Sequence, residues 1–258
     1  MIRLRSLRAV VRHELAIARD HTIDFVIMFF IPIVVMAFFK PAAGIILRAQ
    51  GMPLASGAEQ VVPGMAVMFG LFVVGLVCFS AYREHGYATW DRLRVSGPGP
   101  TQIMLTKALI PLGIILLQLT ALTIFGRAFL GLRVHGSVIA VASVIGSTAI
   151  CYVCIGLALS AFCRSSQQVS ILANLLNVLM GMLGGAFLPT GVLPKWAQHL
   201  APATPTYWAM QGLRPQFLAG STEQGAWIRA TCVLLAIATV TLAAWRLRFR
   251  PEERKQHW

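Results

Sequence analysis

The sequence predicts an all-α integral membrane protein with six transmembrane helices, an N-terminal interfacial amphipathic helix and short external re-entrant helices before the last span. Two observations carry that prediction. Apolar residues fill 57% of the 258 positions and charged residues only 12%, whereas a soluble domain carries roughly 25% charged residues. The apolar residues also collect into six long runs, at 25–47, 61–82, 108–126, 137–162, 169–188 and 230–245. A hydrocarbon core takes about 20 helical residues to cross, and none of the runs alternates with period two as a membrane strand would.

The elements follow in chain order. Residues 1–22 are too basic and too lightly apolar for a cleavable signal peptide. Leu4, Leu7, Val11, Leu15 and Ala18 form one stripe, with Arg5, Arg8, Arg12 and Arg19 one residue further round. That pattern suits a helix lying in the headgroup plane with its arginines snorkelling; a solvated basic tail is the alternative. Between the second and third spans, residues 83–107 form a charged, amphipathic loop of the kind that meets a soluble partner. Residues 189–225, before the last span, hold four prolines between 189 and 205, which forbid one continuous helix. Trp196, Tyr207 and Trp208 in the same stretch are ring types of the membrane interface. Short surface or re-entrant helices fit both facts better than a disordered loop.

Charge orients the bundle. Fifteen of the 22 Lys and Arg residues fall before the first span, in or beside the 83–107 loop, after the fourth span and after the sixth. By the positive-inside rule that side, with both termini, is cytoplasmic. The formal net charge of +13 is thereby explained by topology and anionic membrane lipid, with no need of a nucleic-acid partner. All nine acids, among them Glu59, Glu84, Asp91 and Glu223, lie near span ends or outside the spans. The intramembrane relay of a proton-coupled pump and the acidic ring of a cation channel are therefore both missing. No P-loop motif occurs, so energy from ATP would have to be supplied by another polypeptide. The five cysteines sit in or beside spans, and Cys151 and Cys154 form a CxxC without His partners. Small buried hydrophobes account for these thiols better than metal or redox chemistry.

The 83–107 loop reads Arg83-Glu84-His85-Gly86-Tyr87-Ala88-Thr89-Trp90-Asp91-Arg92-Leu93-Arg94-Val95-Ser96, with Lys107 at the start of the third span. It resembles the cytoplasmic loop of type-2 ABC exporter permeases, most closely the daunorubicin-resistance type. Glu84, Gly86, Thr89, Asp91, Leu93, Arg94 and Lys107 match position by position. The resemblance implies that Glu84, Gly86, Thr89, Asp91, Arg92, Leu93 and Arg94 form or lead into a coupling helix that meets an ATPase subunit. Where the family usually has Pro directly after the Ser, this chain reads Ser96-Gly97-Pro98, so the turn is displaced. A second patch, Leu188-Pro189-Thr190-Gly191-Val192-Leu193-Pro194-Lys195-Trp196 followed by Pro205-Thr206-Tyr207 and Leu213-Arg214, is similar to the family's signature before its last span. Pro189, Pro194, Trp196, Pro205 and Tyr207 then belong to an external gate region.

What the resemblance implies is a single transmembrane domain over 1–258 that does no covalent chemistry and binds no cofactor. ATP and Mg would sit on the ABC ATPase subunit, and a second permease would complete a homodimer or heterodimer. The setting would be the bacterial cytoplasmic membrane, and the cargo an amphiphilic drug, lipid or glycoconjugate moving outward. In the fifth span, Asn174, Asn177, Gly181 and Gly184 recur at spacings of three, four and three. Such a face serves a dimer seam, a path lining or tight packing within one protomer, because small residues allow close helix approach. Gln118 in the third span is a further candidate for the path. Two other classes stay open: an ion-coupled secondary transporter, and a non-transporting assembly or redox protein of the membrane.

Overall fold

The computed structural model describes residues 22–86, 99–163, 165–221, 223 and 225–249. They form α1 (Thr22–Ala49), α2 (Ala58–Gly70), α3 (Phe72–Gly86), α4 (Pro100–Phe129), α5 (Val138–Phe162) and α6 (Ser166–Leu183). Then come a 3-10 turn (Thr190–Val192), α7 (Lys195–Leu200), a second 3-10 turn (Ala201–Ala203), α8 (Pro205–Phe217) and α9 (Ala226–Arg248). The protein is all-α, as the sequence predicts. The proposed interfacial helix lies almost wholly outside the described residues.

Among the described residues, five stretches are long and apolar enough to cross a membrane: Met28–Ala49, Ala58–Ser80, Thr101–Phe129, Val138–Phe162 and Ala226–Arg248. The second runs through α2 and α3, which are separated by the single residue Leu71 and stay coaxially bonded, with Leu71 N–H donating to Met68 O at 3.1 Å and Val74 N–H to Leu71 O at 3.0 Å. The fifth run of the sequence reading, 169–188, differs from the expectation. Its helix α6 ends at Leu183, and Ser166, Gln167, Gln168, Asn174 and Asn177 dilute its apolar content. It is not among the five.

The membrane-length stretch through α2 and α3 is the most buried, at 72%, and the core is completed by α5, whose stretch is 61% buried against 17% for α9 and 28% for α1. Helix α5 packs against α3, α4, α8 and α9. Its sequence explains the position, because small residues let neighbouring backbones approach. A methyl group at Gly156 would stand 2.7 Å from Val77 Cβ and 2.9 Å from Val74 O. Polar side chains of α5 spend their hydrogen bonds inside the protein, as an apolar solvent requires. Thr148 Oγ1 donates to Val144 O at 2.7 Å, and the Tyr152 hydroxyl donates to Val67 O at 3.2 Å. Four of the five cysteines are buried, and Cys232 is exposed.

Two ends result. At one lie the last turn of α3, the start of α4 and the α5–α6 junction, tied together by the Tyr82 hydroxyl donating to Cys163 O at 2.5 Å and by Lys107 Nζ donating to Ser80 O at 3.5 Å. At the other lie the α1–α2 turn, the α4–α5 connection and the long segment between α6 and α9. His135 N–H and Gly136 N–H both donate to Gln216 O at 2.9 Å, which fastens the α4–α5 connection to α8.

The α1–α2 turn shows how local sequence sets this second end. Gly57 has φ 96°, and a Cβ there would overlap the Lys40 carbonyl of α1, so only glycine permits the close hairpin. Glu59 then accepts from Gly57 N–H at 2.9 Å and from Ser56 N–H at 3.1 Å, satisfying amides that the first turn of α2 leaves without helical partners.

Candidate functional site

A cavity of about 460 Å³ opens at the second end, among the α1–α2 turn, the segment following α6, and α8 with the residues that follow it. Its walls are held by long-range contacts. Gln60 Nε2, in the first turn of α2, donates to Gly185 O at 2.8 Å. One turn on, Gly64 lies so close to the 184–190 backbone that a methyl group would stand 2.9 Å from the Ala186 carbonyl carbon and overlap its oxygen. Gly185 itself has φ 79°, the left-handed conformation that turns the chain sharply after α6. Thr206 Oγ1, near the start of α8, donates to Met180 O at 2.5 Å, a carbonyl in the last turn of α6 that also accepts from Gly184 N–H at 2.9 Å.

The lining is polar for a protein of this composition. Gln60, Thr190, Tyr207, Gln211, Arg214 and Glu223 all contribute. Arg214 is half-buried, and the hydrogen bond of its guanidinium is to Met52 Sδ at 3.9 Å, a weak acceptor. Its Nε has no partner among the described residues. Burial lowers the Arg214 pKa from the ordinary guanidinium value, and the carboxylate of Glu223, acting through space, works in the opposite direction. Gln60 is fully buried, and its Oε1 is likewise without a partner.

Of the residues assigned to an external gate, Pro189 and Tyr207 line this cavity. Pro205 occupies the first position of α8, where a missing N–H costs nothing, and Thr204 caps that helix by accepting from Tyr207 N–H at 3.3 Å. Pro194 precedes α7, and Trp196 in its first turn is 64% exposed. Trp208 is anchored by donating from Nε1 to Pro202 O at 2.8 Å, and the Arg229 guanidinium lies 5.9 Å from its ring centre. Helix α8 is no surface loop: it packs against α2, α5, α6 and α9.

The polar face of α6 is split by the structure. A methyl at Gly181 would stand 2.9 Å from Met68 Cγ on α2, and one at Gly184 would stand 2.5 Å from Thr206 Cβ on α8, so both glycines serve packing within the protomer. Asn177 is buried with its Oδ1 unpartnered, and Asn174 is exposed. Gln118 has a structural task. Its Nε2 donates to Met28 O at 3.3 Å, and Met28 stands four residues before Pro32 in α1. Proline has no N–H to give the i−4 carbonyl, so Gln118 serves an acceptor that the helix cannot.

Of the coupling residues, Glu84 and Gly86 fall in the last turn of α3. Thr89, Asp91, Arg92, Leu93 and Arg94 lie outside the described residues. Lys107, buried at the base of the same loop, is the family-matching residue whose contacts are visible. Gln60, Gln211 and Glu223 were not legible as site residues, and Arg214 entered only through its Leu-Arg motif. The signal was slight: an arginine and a carboxylate nine positions apart in an external segment.

A sequence model of the ABC-2 type transporter family matches residues 6–218. The linearmycin resistance permease protein LnrN of Bacillus subtilis (strain 168) is 34% identical to the chain over 91 residues, which are 35% of this chain and 23% of that protein. The match thus spans less than a quarter of that relative's length.

Proposed function

The chain belongs to the ABC-2 type transporter family, and from that premise we propose that it is the membrane-spanning permease subunit of an ATP-driven exporter. It is a multi-pass membrane protein by its five long apolar helices and its family. In the proposed assembly a separate ABC ATPase binds ATP and Mg, and a second permease, identical or related, completes the translocation unit. The cargo is an amphiphilic drug, lipid or glycoconjugate moving outward across the bacterial cytoplasmic membrane. Similarity to a linearmycin resistance permease supports outward movement.

The observation that carries this reading is the construction of the loop's base. The charged stretch leaves α3 through Glu84 and returns through α4, and both attachment points are clamped to the bundle: Tyr82 to Cys163 O and Lys107 to Ser80 O. A partner pressing on the 83–107 loop would therefore move α3, α4 and the α5–α6 junction together instead of flexing a free linker. On this reading Glu84, Gly86, Thr89, Asp91, Arg92, Leu93 and Arg94 dock the ATPase. The end holding the cavity is external, and α6 supplies the sixth crossing.

The test is purification of the tagged full chain from native membranes in a mild detergent. The expected result is co-purification of an ATPase that carries a P-loop, with vanadate-sensitive ATP hydrolysis. Transport that resists vanadate and collapses with an uncoupler would overturn the reading in favour of an ion-coupled carrier.

A further inference from the structure

We propose that the cavity lined by Arg214 and Gln60 is a binding site for a phosphate-type oxyanion carried on a hydroxyl-bearing polar headgroup. The placement of this site on the external face rests on the function proposed above; the binding chemistry does not.

Charge and hydrogen-bond partners are out of balance in this cavity. An arginine keeps its charge in proteins, so a half-buried guanidinium normally has a carboxylate or several carbonyls against it. Arg214 has a methionine sulfur at 3.9 Å, an unpartnered Nε, and a carboxylate, that of Glu223, which acts at a distance without forming an ion pair. On a wall of the same cavity, Gln60 is fully buried with an acceptor oxygen that nothing meets. A ligand that offers oxyanion acceptors to the half-buried guanidinium supplies the partner that a methionine sulfur does not, and planar guanidinium matches two phosphate oxygens at once.

The walls do not collapse to relieve the imbalance. The Gln60–Gly185 and Thr206–Met180 hydrogen bonds and the Gly64–Ala186 approach fix three sides of the cavity to α2, α6 and α8. Its volume of about 460 Å³ exceeds the space an inorganic phosphate fills and falls within the roughly 300–1,000 Å³ of small-molecule sites. Tyr207 and Gln211 of α8 and Thr190 of the segment after α6 add hydroxyl and amide side chains to the lining, suited to a polyol. Glu223 is exposed at the rim, where its charge opposes an incoming anion, so the two charged residues have opposite effects on binding.

A second cavity, bounded by Arg127, Arg133 and His135, has its arginines exposed and His135 Nδ1 already placed 3.0 Å from Phe217 O. Solvated surface arginines of that kind hold no anion selectively.

The experiment titrates full-length protein in detergent with dihexanoyl-phosphatidylglycerol, and separately with inorganic phosphate, by isothermal calorimetry. Saturable binding is expected for the wild type, weakened at least about tenfold by Arg214→Gln, less by Arg214→Lys, and tightened severalfold by Glu223→Gln. Opposite signs at the two charges would not arise from a purely structural role. If Arg214→Gln fails to elute as a folded species, Ser221→Asp at the rim is the replacement variant, and its added negative charge should weaken binding. Saturation by phosphatidylglycerol alone identifies the source as a lipid headgroup; equal competition by inorganic phosphate identifies a free oxyanion. Absence of saturable binding to either probe, or equal affinity in wild type and a folded Arg214→Gln or Ser221→Asp, overturns the proposal. Neither ATPase nor transport is needed for this readout. A failed search for an ATPase partner would leave the site standing, and an Arg214-independent result would leave the permease reading standing.

Discussion

Gly64→Ala is the most informative single substitution for the architecture around the cavity. The added methyl would overlap the Ala186 carbonyl oxygen and stand 2.9 Å from its carbon, and both are backbone atoms that no rotamer change moves aside. The 184–190 segment must therefore shift by the order of 1 Å, and overpacking of this kind costs about 1–3 kcal/mol. The shift also strains the neighbouring bond from Gln60 Nε2 to Gly185 O, 2.8 Å long and fully buried. Losing a buried partner adds about 1–3 kcal/mol. The expected total is about 2–6 kcal/mol, read as a fall in the thermal midpoint of at least about 5 °C in detergent by tryptophan fluorescence. Gly181→Ala is the comparison. Its methyl meets Met68 Cγ at 2.9 Å, a side-chain atom that a rotamer change can displace where a backbone atom cannot move, so it should cost less than Gly64→Ala. Equal midpoints for wild type and Gly64→Ala, or a larger loss for Gly181→Ala, would refute the reasoning.

Three further outcomes are expected. Gln118→Leu should destabilise the protein by about 1 kcal/mol and should cost distinctly less in a Pro32→Ala background, where residue 32 regains an N–H for Met28 O; identical costs in a double-mutant cycle would remove the proline-compensating role. Glu84→Ala or Asp91→Ala should uncouple transport from ATP hydrolysis with insertion intact, a buried interfacial charge pair being worth about 2–5 kcal/mol, and full transport by the double variant would argue against docking there. A cysteine at Gly191 should react with an impermeant maleimide from outside the cell and a reporter after Trp258 should be cytoplasmic, whereas external labelling at Gly97 would invert the orientation.

The glycines of the fifth run show where sequence reasoning stops. Their spacing says that some neighbour comes close, and it leaves a second protomer, a path and an internal helix equally open. Only the structure shows Gly181 against Met68 and Gly184 against Thr206, because the identity of a neighbour depends on how the helices are arranged. Gln118 is parallel. A lone amide in an apolar span reads as path lining until Pro32 of α1 is found four residues after the carbonyl it serves. The short helices before the last span were legible from four prolines, yet their burial against α2, α5, α6 and α9 was not.

The sequence by itself determined the solvent, the helical class and the position of the charged loop, because lipid solvation and backbone self-satisfaction act on each apolar stretch locally and leave a compositional mark. Motif order along the chain indicated the family for the same reason. The cavity was decided by tertiary structure alone. Gln60, Gly185 and Arg214 are far apart in the chain, and what makes them a site is a shortage of partners that exists only once α2, α6 and α8 have excluded both water and each other's polar groups.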